Sequence, residues 1–421
     1  MTNNATLLLA KEAIQKKLKG RALNYKEVYA IMDEISKDRL GDILTTYFAA
    51  AGFKEGFSDE ELFFMTKAMV ETGTKLHFDG IVADKHSIGG IAGTRATMIV
   101  VPIVVAAGFT MPKTSSRAIT SPAGTADVME VLSKVSFTPE YVEKIVREVG
   151  GCIIWGGHLG IAPADDMIIR VEEPLSFESF DKIIVSIMAK KVAASTNHLI
   201  IDIPIGPTMK VKYQKDALLV KRKFEGVAKR FGITIQVDIN ETTEPAGNGI
   251  GPTMEAIDVL KVLEQHVSRP MGLEERSVRL AGKLLNLCYK TQGKTLDGEA
   301  EARRILESGQ ALQKFREIVK AQLGDPDVSW KDLKTAPYSK KIHATESGTI
   351  DSIDNFNLNA IAKILGAPAD NKAGMELRMR NGESFLDNDV LVTFYSSSEH
   401  RLNEAIETIR TFPIFNITKH V

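Results

Sequence analysis

The sequence predicts an α/β protein with a separate all-helical lobe and a small α+β domain at the carboxyl end. Three observations support this fold class: residues 1–75 show helical patterns, short β-branched runs alternate with helical patterns from Gly80, and short strands return after Asp325. A chain of 421 residues is long enough for two or three domains. We expect residues 1–75, joined by about 167–194, to form the helical lobe, residues 76–166 and 195–330 the α/β domain, and residues 331–421 the last domain.

The helical lobe carries recognisable helix starts. Asn24 followed by Glu27, and Ser58 followed by Glu61, have the spacing of capping boxes ahead of apolar-periodic stretches. Residues 180–194 add a strong helix, with apolar residues at positions 183, 184, 187, 188 and 192. Ser186 and Lys190 lie four residues apart on its polar side, so they share one face of that helix.

The middle of the chain has the alternation expected of a mixed or parallel sheet covered by helices. Strand signals are the runs 99–105, 152–155, 198–205 and 233–238. The first run also lies inside a helix-length apolar stretch, residues 96–108, which follows a glycine loop. Beyond residue 325, strands are predicted at 341–350 and 390–395, and helices at 357–365 and 401–411.

Composition narrows the class of partner. The 53 basic and 54 acidic residues nearly balance, so no broad basic field indicates nucleic acid, and a small-molecule substrate fits better. Two cysteines are too few for a disulfide framework and suit a reducing cytoplasm. The amino terminus lacks the pattern of a secretory signal, and the longest apolar run, 98–108, is too short to span a bilayer. We expect a cytoplasmic protein with no membrane partner.

Two loops, residues 84–90 and 113–127, are rich in glycine and hydroxyl groups. Together they offer what a phosphate needs, namely cations, hydroxyls and glycines that let backbone amides approach. These are Lys85, Arg117, Ser87, Ser115, Ser116, Thr120, Ser121, Thr125, Gly89, Gly90 and Gly124. Either loop alone is better explained as an ordinary turn with a structural histidine at position 86. The apolar segment between them favours a split oxyanion site, since a helix there directs its amino end towards an anion.

The string at residues 115–130, SSRAITSPAGTADVME, resembles the signature of the thymidine phosphorylase superfamily, and its wording is most similar to the AMP phosphorylase branch. The resemblance extends to residues 84–87, 155–157, 163–166, 186–191 and 249–256. It implies the nucleoside phosphorylase and phosphoribosyltransferase architecture of glycosyltransferase family 3. It also implies inorganic phosphate as co-substrate, no other cofactor, no metal, and a homodimer formed by amino-terminal helices. Aromatic residues that could serve that dimer surface, or equally the core, are Tyr47, Phe48, Phe53, Phe57, Phe63 and Phe64.

The resemblance also implies roles for particular residues. Phosphate contacts are expected from Lys85, Ser87, Gly89, Gly90, Ser115 and Thr125. Base, sugar or 5′-phosphate contacts are expected from Ser116, Arg117, Ala118, Ile119, Thr120, Ser121, Arg170, Ser186, Lys190 and Lys210. His86 is the candidate for acid or hydrogen-bonding work, with a neutral structural donor as the alternative. Glu178 matches a proton donor of the AMP phosphorylase branch, although that branch usually has aspartate there.

The implied reaction is phosphorolysis of a nucleoside 5′-monophosphate, with a pyrimidine nucleoside as the alternative substrate. Residues 93–97 depart from the AMP phosphorylase branch by lacking one hydroxyl that could contact phosphate. The first helix begins where that of the nucleoside enzymes does, so the branch's extra amino-terminal domain is expected to be absent. A magnesium-dependent phosphoribosyltransferase would instead use Asp165 and Asp166. A noncatalytic nucleotide-binding protein is the third class considered.

Overall fold

The computed structural model describes residues 3–89, 91–118, 121–175 and 179–420. Its first helices are α1 (Asn3–Leu18), α2 (Tyr25–Ser36), α3 (Gly41–Glu55) and α4 (Asp59–Glu71). Both predicted capping boxes are present, at Asn24 with Glu27 and at Ser58 with Glu61. Helices α8 (Pro163–Glu172) and α9 (Phe180–Ala193) pack against α2, α3 and α4 and share their apolar core. A helical lobe is therefore built from two separate parts of the chain.

A parallel sheet forms the centre of the molecule. Its strands are β1 (Ala83–Ser87), β2 (Met111–Ser115), β3 (Gly151–Trp155), β4 (His198–Ile205) and β5 (Thr234–Glu241). β1, β4 and β5 pair in that order, β2 pairs with β3, and a bridge between Val82 and Thr110 joins the two sets. All of these pairings are parallel, so the strands end at the same edge of the sheet. The two predicted anion loops follow β1 and β2 and therefore leave from that common edge.

Helices cover the sheet. They are α5 (Thr97–Ala106), α6 (Thr125–Glu130), α7 (Pro139–Val149), α10 (Gln214–Arg230), α11 (Pro252–Leu263), α12 (Met271–Thr291), α13 (Gly298–Glu307) and α14 (Gln310–Ala321). Single-turn 3₁₀ helices occur at Gly156–Leu159 and Glu173–Leu175. The strand interpretation of residues 99–105 is wrong, because this run lies within α5. It is buried on every side, so its β-branched residues show no helical periodicity that could distinguish a helix from a strand.

The carboxyl-terminal domain combines two antiparallel sheets with two helices. Its elements are β7 (Tyr338–His343), β8 (Gly348–Ile353), α15 (Asn355–Leu365), β9 (Gly374–Leu377), β10 (Ser384–Phe385), β11 (Val390–Ser396), α16 (Glu399–Thr411) and β12 (Phe415–Lys419). The single strand predicted at 341–350 is in fact the end of β7, a turn and the start of β8. One sheet has the order β10-β8-β12. The other includes a further strand, β6 (Gly249–Ile250), and has the order β6-β9-β11-β7. Strand β6 belongs to the α/β part of the chain, so the second sheet crosses between domains.

The predicted fold class is confirmed: a helical lobe, an α/β domain and a carboxyl-terminal α+β domain are all present. Within the described ranges, no helix combines the length and apolar character needed to cross a membrane.

Candidate active site

The first anion loop begins on β1, where Lys85 is buried. Its ammonium lies 3.8 Å from a carboxylate oxygen of Asp202 on β4. Arg276 already binds both oxygens of that carboxylate at 2.9 Å, so Asp202 does not fully neutralise Lys85. Burial lowers the pKa of Lys85 to about 8, although Asp202 opposes the shift. Gly89 follows with a left-handed φ of 87°, and its amide reaches the Ser87 hydroxyl at 3.4 Å.

In the second loop, one carboxylate holds the described residues on either side of positions 119–120. An oxygen of Asp127 accepts hydrogen bonds from the amides of Ala118 at 2.7 Å and Gly124 at 2.8 Å. Gly124 sits so close to the start of the loop that a Cβ there would lie 2.4 Å from the carbonyl carbon of Arg117. Asp127 and Gly124 therefore fix the shape of this loop, and Asp127 was not among the predicted site residues.

Eleven buried side-chain polar atoms have no hydrogen-bond partner within the described part of the chain, and three of them lie near the ends of β1 and β2. These three are Nδ1 of His86 on β1 and the hydroxyls of Thr114 and Ser115 at the end of the neighbouring strand β2. Buried polar atoms are normally satisfied, so such a group indicates a place for a ligand. This group lies where the two loops leave the sheet, which is the expected position of a phosphate.

Arg95 and Thr125 connect the two loops. A guanidinium nitrogen of Arg95, which follows the first loop, lies 3.4 Å from the hydroxyl of Thr125 within the second. Arg95 also forms a buried ion pair with Glu255 on α11. Arg95 belongs to residues 93–97, which depart from the resemblance, and it was not predicted as a site residue. A cation after a glycine loop is nevertheless a usable signal for an anion site.

Arg117 does not present its guanidinium as an anion ligand. It donates to Asp127 at 3.0 Å and to both oxygens of Glu130 at 2.6 and 2.8 Å. The same group lies over the ring of Trp155, 4.9 Å from its centroid. Of its neighbours, Ser116 is exposed, and the Ser121 hydroxyl donates to the carbonyl of Ala123. Arg117 therefore supports the loop in this structure, and its predicted substrate contact stays a prediction.

The other half of the site lies on the helical lobe. The Ser186 hydroxyl and the Lys190 ammonium, both on α9, each donate to the same oxygen of Asp165 at 2.7 Å. Lys190 also lies 3.4 Å from the Ser186 oxygen. Burial alone would lower the pKa of Lys190, but the Asp165 carboxylate outweighs burial and raises it. Lys190 is thus a persistent cation, and Ser186, whose proton is directed to Asp165, can accept from a substrate N–H.

Arg170, also on the helical lobe, is engaged by acidic residues. Its exposed guanidinium forms ion pairs with Asp38 and Asp42. Lys210 lies half-buried in the loop after β4, where Val211 bridges back to Ile205. The predicted site residues Gly90, Ile119, Thr120 and Glu178 fall outside the described residues.

A buried ion cluster that the sequence did not reveal links the two halves. Asp84, which has no exposed surface, receives Lys191 of α9 at 2.6 Å and Lys113 of β2 at 3.3 Å. Burial opposes the charge on Asp84, but these two lysines outweigh it and lower its pKa. The pKa of the adjacent His86 is held well below its ordinary value, first by burial and then by the cations Lys191, Lys113, Lys85 and Lys190. His86 is therefore neutral near pH 7.

The loops of the parallel sheet offer buried cations and unpaired hydroxyls, and α9 carries a persistent cation of its own. Such a site is suited to group transfer from a small anionic or sugar-linked substrate. Comparison with known families agrees with that class. Residues 11–73 match the glycosyl transferase family helical bundle domain, residues 79–312 match the glycosyl transferase family a/b domain, and residues 349–412 match the pyrimidine nucleoside phosphorylase C-terminal domain. The chain belongs to this glycosyl transferase family, within the pyrimidine-nucleoside phosphorylase superfamily, and is a pentosyltransferase of the phosphorylase type.

Relatives with two different names resemble the chain about equally. A putative thymidine phosphorylase of Legionella pneumophila is 40% identical over 94% of this chain and 76% of that protein. An AMP phosphorylase of Natronomonas pharaonis is 42% identical over 94% of this chain and 79% of that protein. The anthranilate phosphoribosyltransferase of Thermus thermophilus shares the fold, with a TM-score of 0.62 at 18% identity over 74% of this chain and 99% of that one.

Proposed function

We propose that this enzyme cleaves the N-glycosidic bond of nucleoside 5′-monophosphates with inorganic phosphate. A phosphate oxygen bonds to C1′ of the ribose, the bond from C1′ to the base nitrogen breaks, and its electron pair leaves with the base. Protonation of the base then gives free base and ribose 1,5-bisphosphate. The observation that carries phosphorolysis is the group of unpartnered polar atoms of His86, Thr114 and Ser115 beside buried Lys85.

Each half of the site has a separate task in this proposal. Lys85, Ser87, Ser115 and Thr125, with the amides of Gly89 and Gly90, hold the attacking phosphate. Lys190 and Ser186 hold the base edge, so the charge that develops on the departing base meets a fixed cation. His86, being neutral, acts as a hydrogen-bonding group rather than as a strong acid. Glu178 stays our candidate for the proton donor, and Arg170 keeps a base-side role only if it leaves Asp38 and Asp42.

Two features support the monophosphate as substrate. The sequence of residues 115–130 resembles that of the AMP phosphorylase branch. Lys210 follows β4 at the same sheet edge as both loops. A pyrimidine nucleoside is the second candidate, because Arg117, which was expected to hold a second phosphate, is engaged by Asp127 and Glu130. The relatives carry both names, so neither substrate is favoured by them alone.

A panel of nucleosides and their 5′-monophosphates tests this proposal, with phosphate present and free base measured by chromatography. We expect kcat/KM to favour the monophosphate about a hundredfold, since charge-assisted bonds to a second phosphate contribute about 3 kcal/mol. A preference for thymidine or uridine supports the second candidate. Release of no base from any of them contradicts both.

We further propose that phosphate is the only co-substrate and that no metal is needed. Asp165, half of the pair that a magnesium-dependent transferase would use, is fully buried and receives Ser186 and Lys190, with Lys182 at 3.8 Å. Asp166 is exposed, and it would have to hold a metal ion without Asp165 as a second ligand. Repeating the panel with a chelator should leave the rates unchanged, whereas loss of activity revives the transferase.

A homodimer through α1 and α3 is a further part of the proposal. Of the six aromatic residues considered, Phe48 and Phe57 are core residues, whereas Tyr47 and Phe53 are about half exposed. Leu8 of α1 and Ile43 of α3, at 58% and 75% exposure, extend this apolar surface. We expect Ile43→Glu combined with Tyr47→Glu to yield monomers in light scattering. Val267→Glu, at a still more exposed position outside the helical lobe, should leave the dimer intact; a wild-type monomer contradicts the proposal.

A further inference from the structure

The segment at residues 91–95, directly after the first anion loop, is held from outside the α/β domain. Asn355, a buried residue at the first turn of α15 in the carboxyl-terminal domain, accepts a hydrogen bond from the amide of Ala92 at 3.2 Å. Ala92 follows the first anion loop and precedes Arg95, whose guanidinium lies 3.4 Å from the hydroxyl of Thr125 in the second loop. A backbone amide of this segment is therefore satisfied by a side chain from a different domain.

The same stretch is fastened to the segment at residues 244–251. The amide of Gly247 donates to the carbonyl of Gly93 at 2.8 Å, and the amide of Ala246 donates to the Thr94 hydroxyl at 3.1 Å. Gly93 has a left-handed φ of 60°, and a Cβ there would lie 2.8 Å from the carbonyl oxygen of Gly249. The two backbones are thus in direct contact, so a shift of one segment displaces the other.

The segment at residues 244–251 is in turn fixed by the carboxyl-terminal domain. The guanidinium of Arg380 donates to the carbonyls of Pro245 and Gly247, each at 2.7 Å, and to the side chain of Asn248. Strand β6 within this segment pairs antiparallel with β9, and the amide of Leu377 donates to the carbonyl of Asn248 at 2.9 Å. One planar fork therefore fixes two carbonyls of a segment that touches residues 91–95.

We propose that Arg380 and Asn355 are positioning residues for phosphate, through which the carboxyl-terminal domain sets the position of residues 91–95, directly after the first anion loop. This inference rests on the proposed function, because it takes that loop as the phosphate site. Arg380 acts through residues 245–248 and then Gly93, whereas Asn355 acts directly on Ala92. Neither residue touches the substrate in this arrangement. Their loss is expected to weaken phosphate binding more than base binding.

Arg380→Gln tests the inference in the full-length enzyme, with Arg378→Gln as the matched control. Arg378 lies two residues away on the same segment, is exposed, and pairs with Glu376 at 2.7 Å. We expect Arg380→Gln to raise KM for phosphate about tenfold while changing KM for the nucleoside substrate less than about twofold, since small misplacements of binding groups are costly. Arg378→Gln should change neither. An unchanged phosphate KM in folded Arg380→Gln, or an equal rise in Arg378→Gln, overturns the inference.

Hydrogen exchange supplies a readout that does not depend on catalysis. The peptide covering residues 91–95 should exchange faster in Arg380→Gln than in the wild type or in Arg378→Gln. Arg380→Lys, which keeps the charge without the fork, serves if the glutamine variant fails to fold, and an intermediate phosphate KM is expected for it. If the wild type releases no base from any substrate, the proposed function fails. Unchanged exchange at residues 91–95 contradicts the positioning role by itself.

Discussion

Replacing Lys190 with methionine is expected to lower kcat/KM for phosphorolysis by about a thousandfold, because it removes a fixed cation from beside the departing base. Lys190 is suited to this role by its environment. Its contact with Asp165 raises its pKa, so the ammonium persists through the whole neutral range. The base gathers negative charge only as the C1′–N bond breaks, so the interaction strengthens towards the transition state and the loss should appear mainly in kcat.

Lys182→Met is the matched control for this prediction. Lys182 lies on the same helix and approaches the other oxygen of Asp165 at 3.8 Å, while its closer partner is Glu172 at 2.7 Å. Steady-state rates should fall far less in Lys182→Met than in Lys190→Met, with KM for phosphate unchanged in both. If the two variants lose activity equally, the effect comes from removing one of the two cations beside Asp165, and Lys190 has no separate role at the base.

Local signals in the sequence predicted much of the fold. The run 198–205 is entirely buried and matches strand β4 at both ends, because a short β-branched run without helical spacing has few alternatives. The hydrogen bonds of each capping box join two residues three positions apart, so no tertiary information is needed to predict them. Residues 99–105 were ambiguous for the opposite reason, since burial on all sides erases the periodicity that identifies a helix.

The candidate site was predictable where it depends on backbone order and not where it depends on ion pairing. Both anion loops follow adjacent parallel strands, which places them together whatever their side chains do. Arg170 and Arg117 looked equally available in the sequence, yet acidic residues take up both guanidinium groups. Asp38 is 132 positions from Arg170, so only the packing of α8 on the helical lobe reveals the pair.

The buried cluster of Asp84, Lys113 and Lys191 illustrates the same limit. Its members are separated by 29 and 107 positions from Asp84, and lysine is rarely buried, so no sequence pattern announces it. The cluster joins β1, which carries Lys85 and His86, to α9, which carries Ser186 and Lys190. It therefore provides a rigid connection between the phosphate side and the base side that the sequence could not show.

Phosphate use is expected to fall as pH rises through about 8, the pKa to which burial lowers Lys85. The sign follows from the charge: Lys85 is an ammonium below its pKa and becomes neutral above it, so its attraction for a phosphate dianion is lost on the alkaline side. Because kcat/KM for phosphate reports groups of the free enzyme, it should decline about tenfold per pH unit once above that pKa. The measurement is kcat/KM for phosphate between neutral pH and the alkaline limit of folding.

Two variants assign this decline to Lys85. Lys85→Gln should lower kcat/KM for phosphate by about a hundredfold to a thousandfold at neutral pH, since it removes one preorganised cation, and should have no alkaline limb of its own near pH 8. Lys85→Arg keeps a charge that does not titrate in this range, so its profile should stay flat even if its altered geometry lowers the rate. A wild-type profile without the limb, or a limb that persists in Lys85→Arg, contradicts the assignment. Because Arg276 already pairs with Asp202, neither variant leaves that carboxylate without a partner.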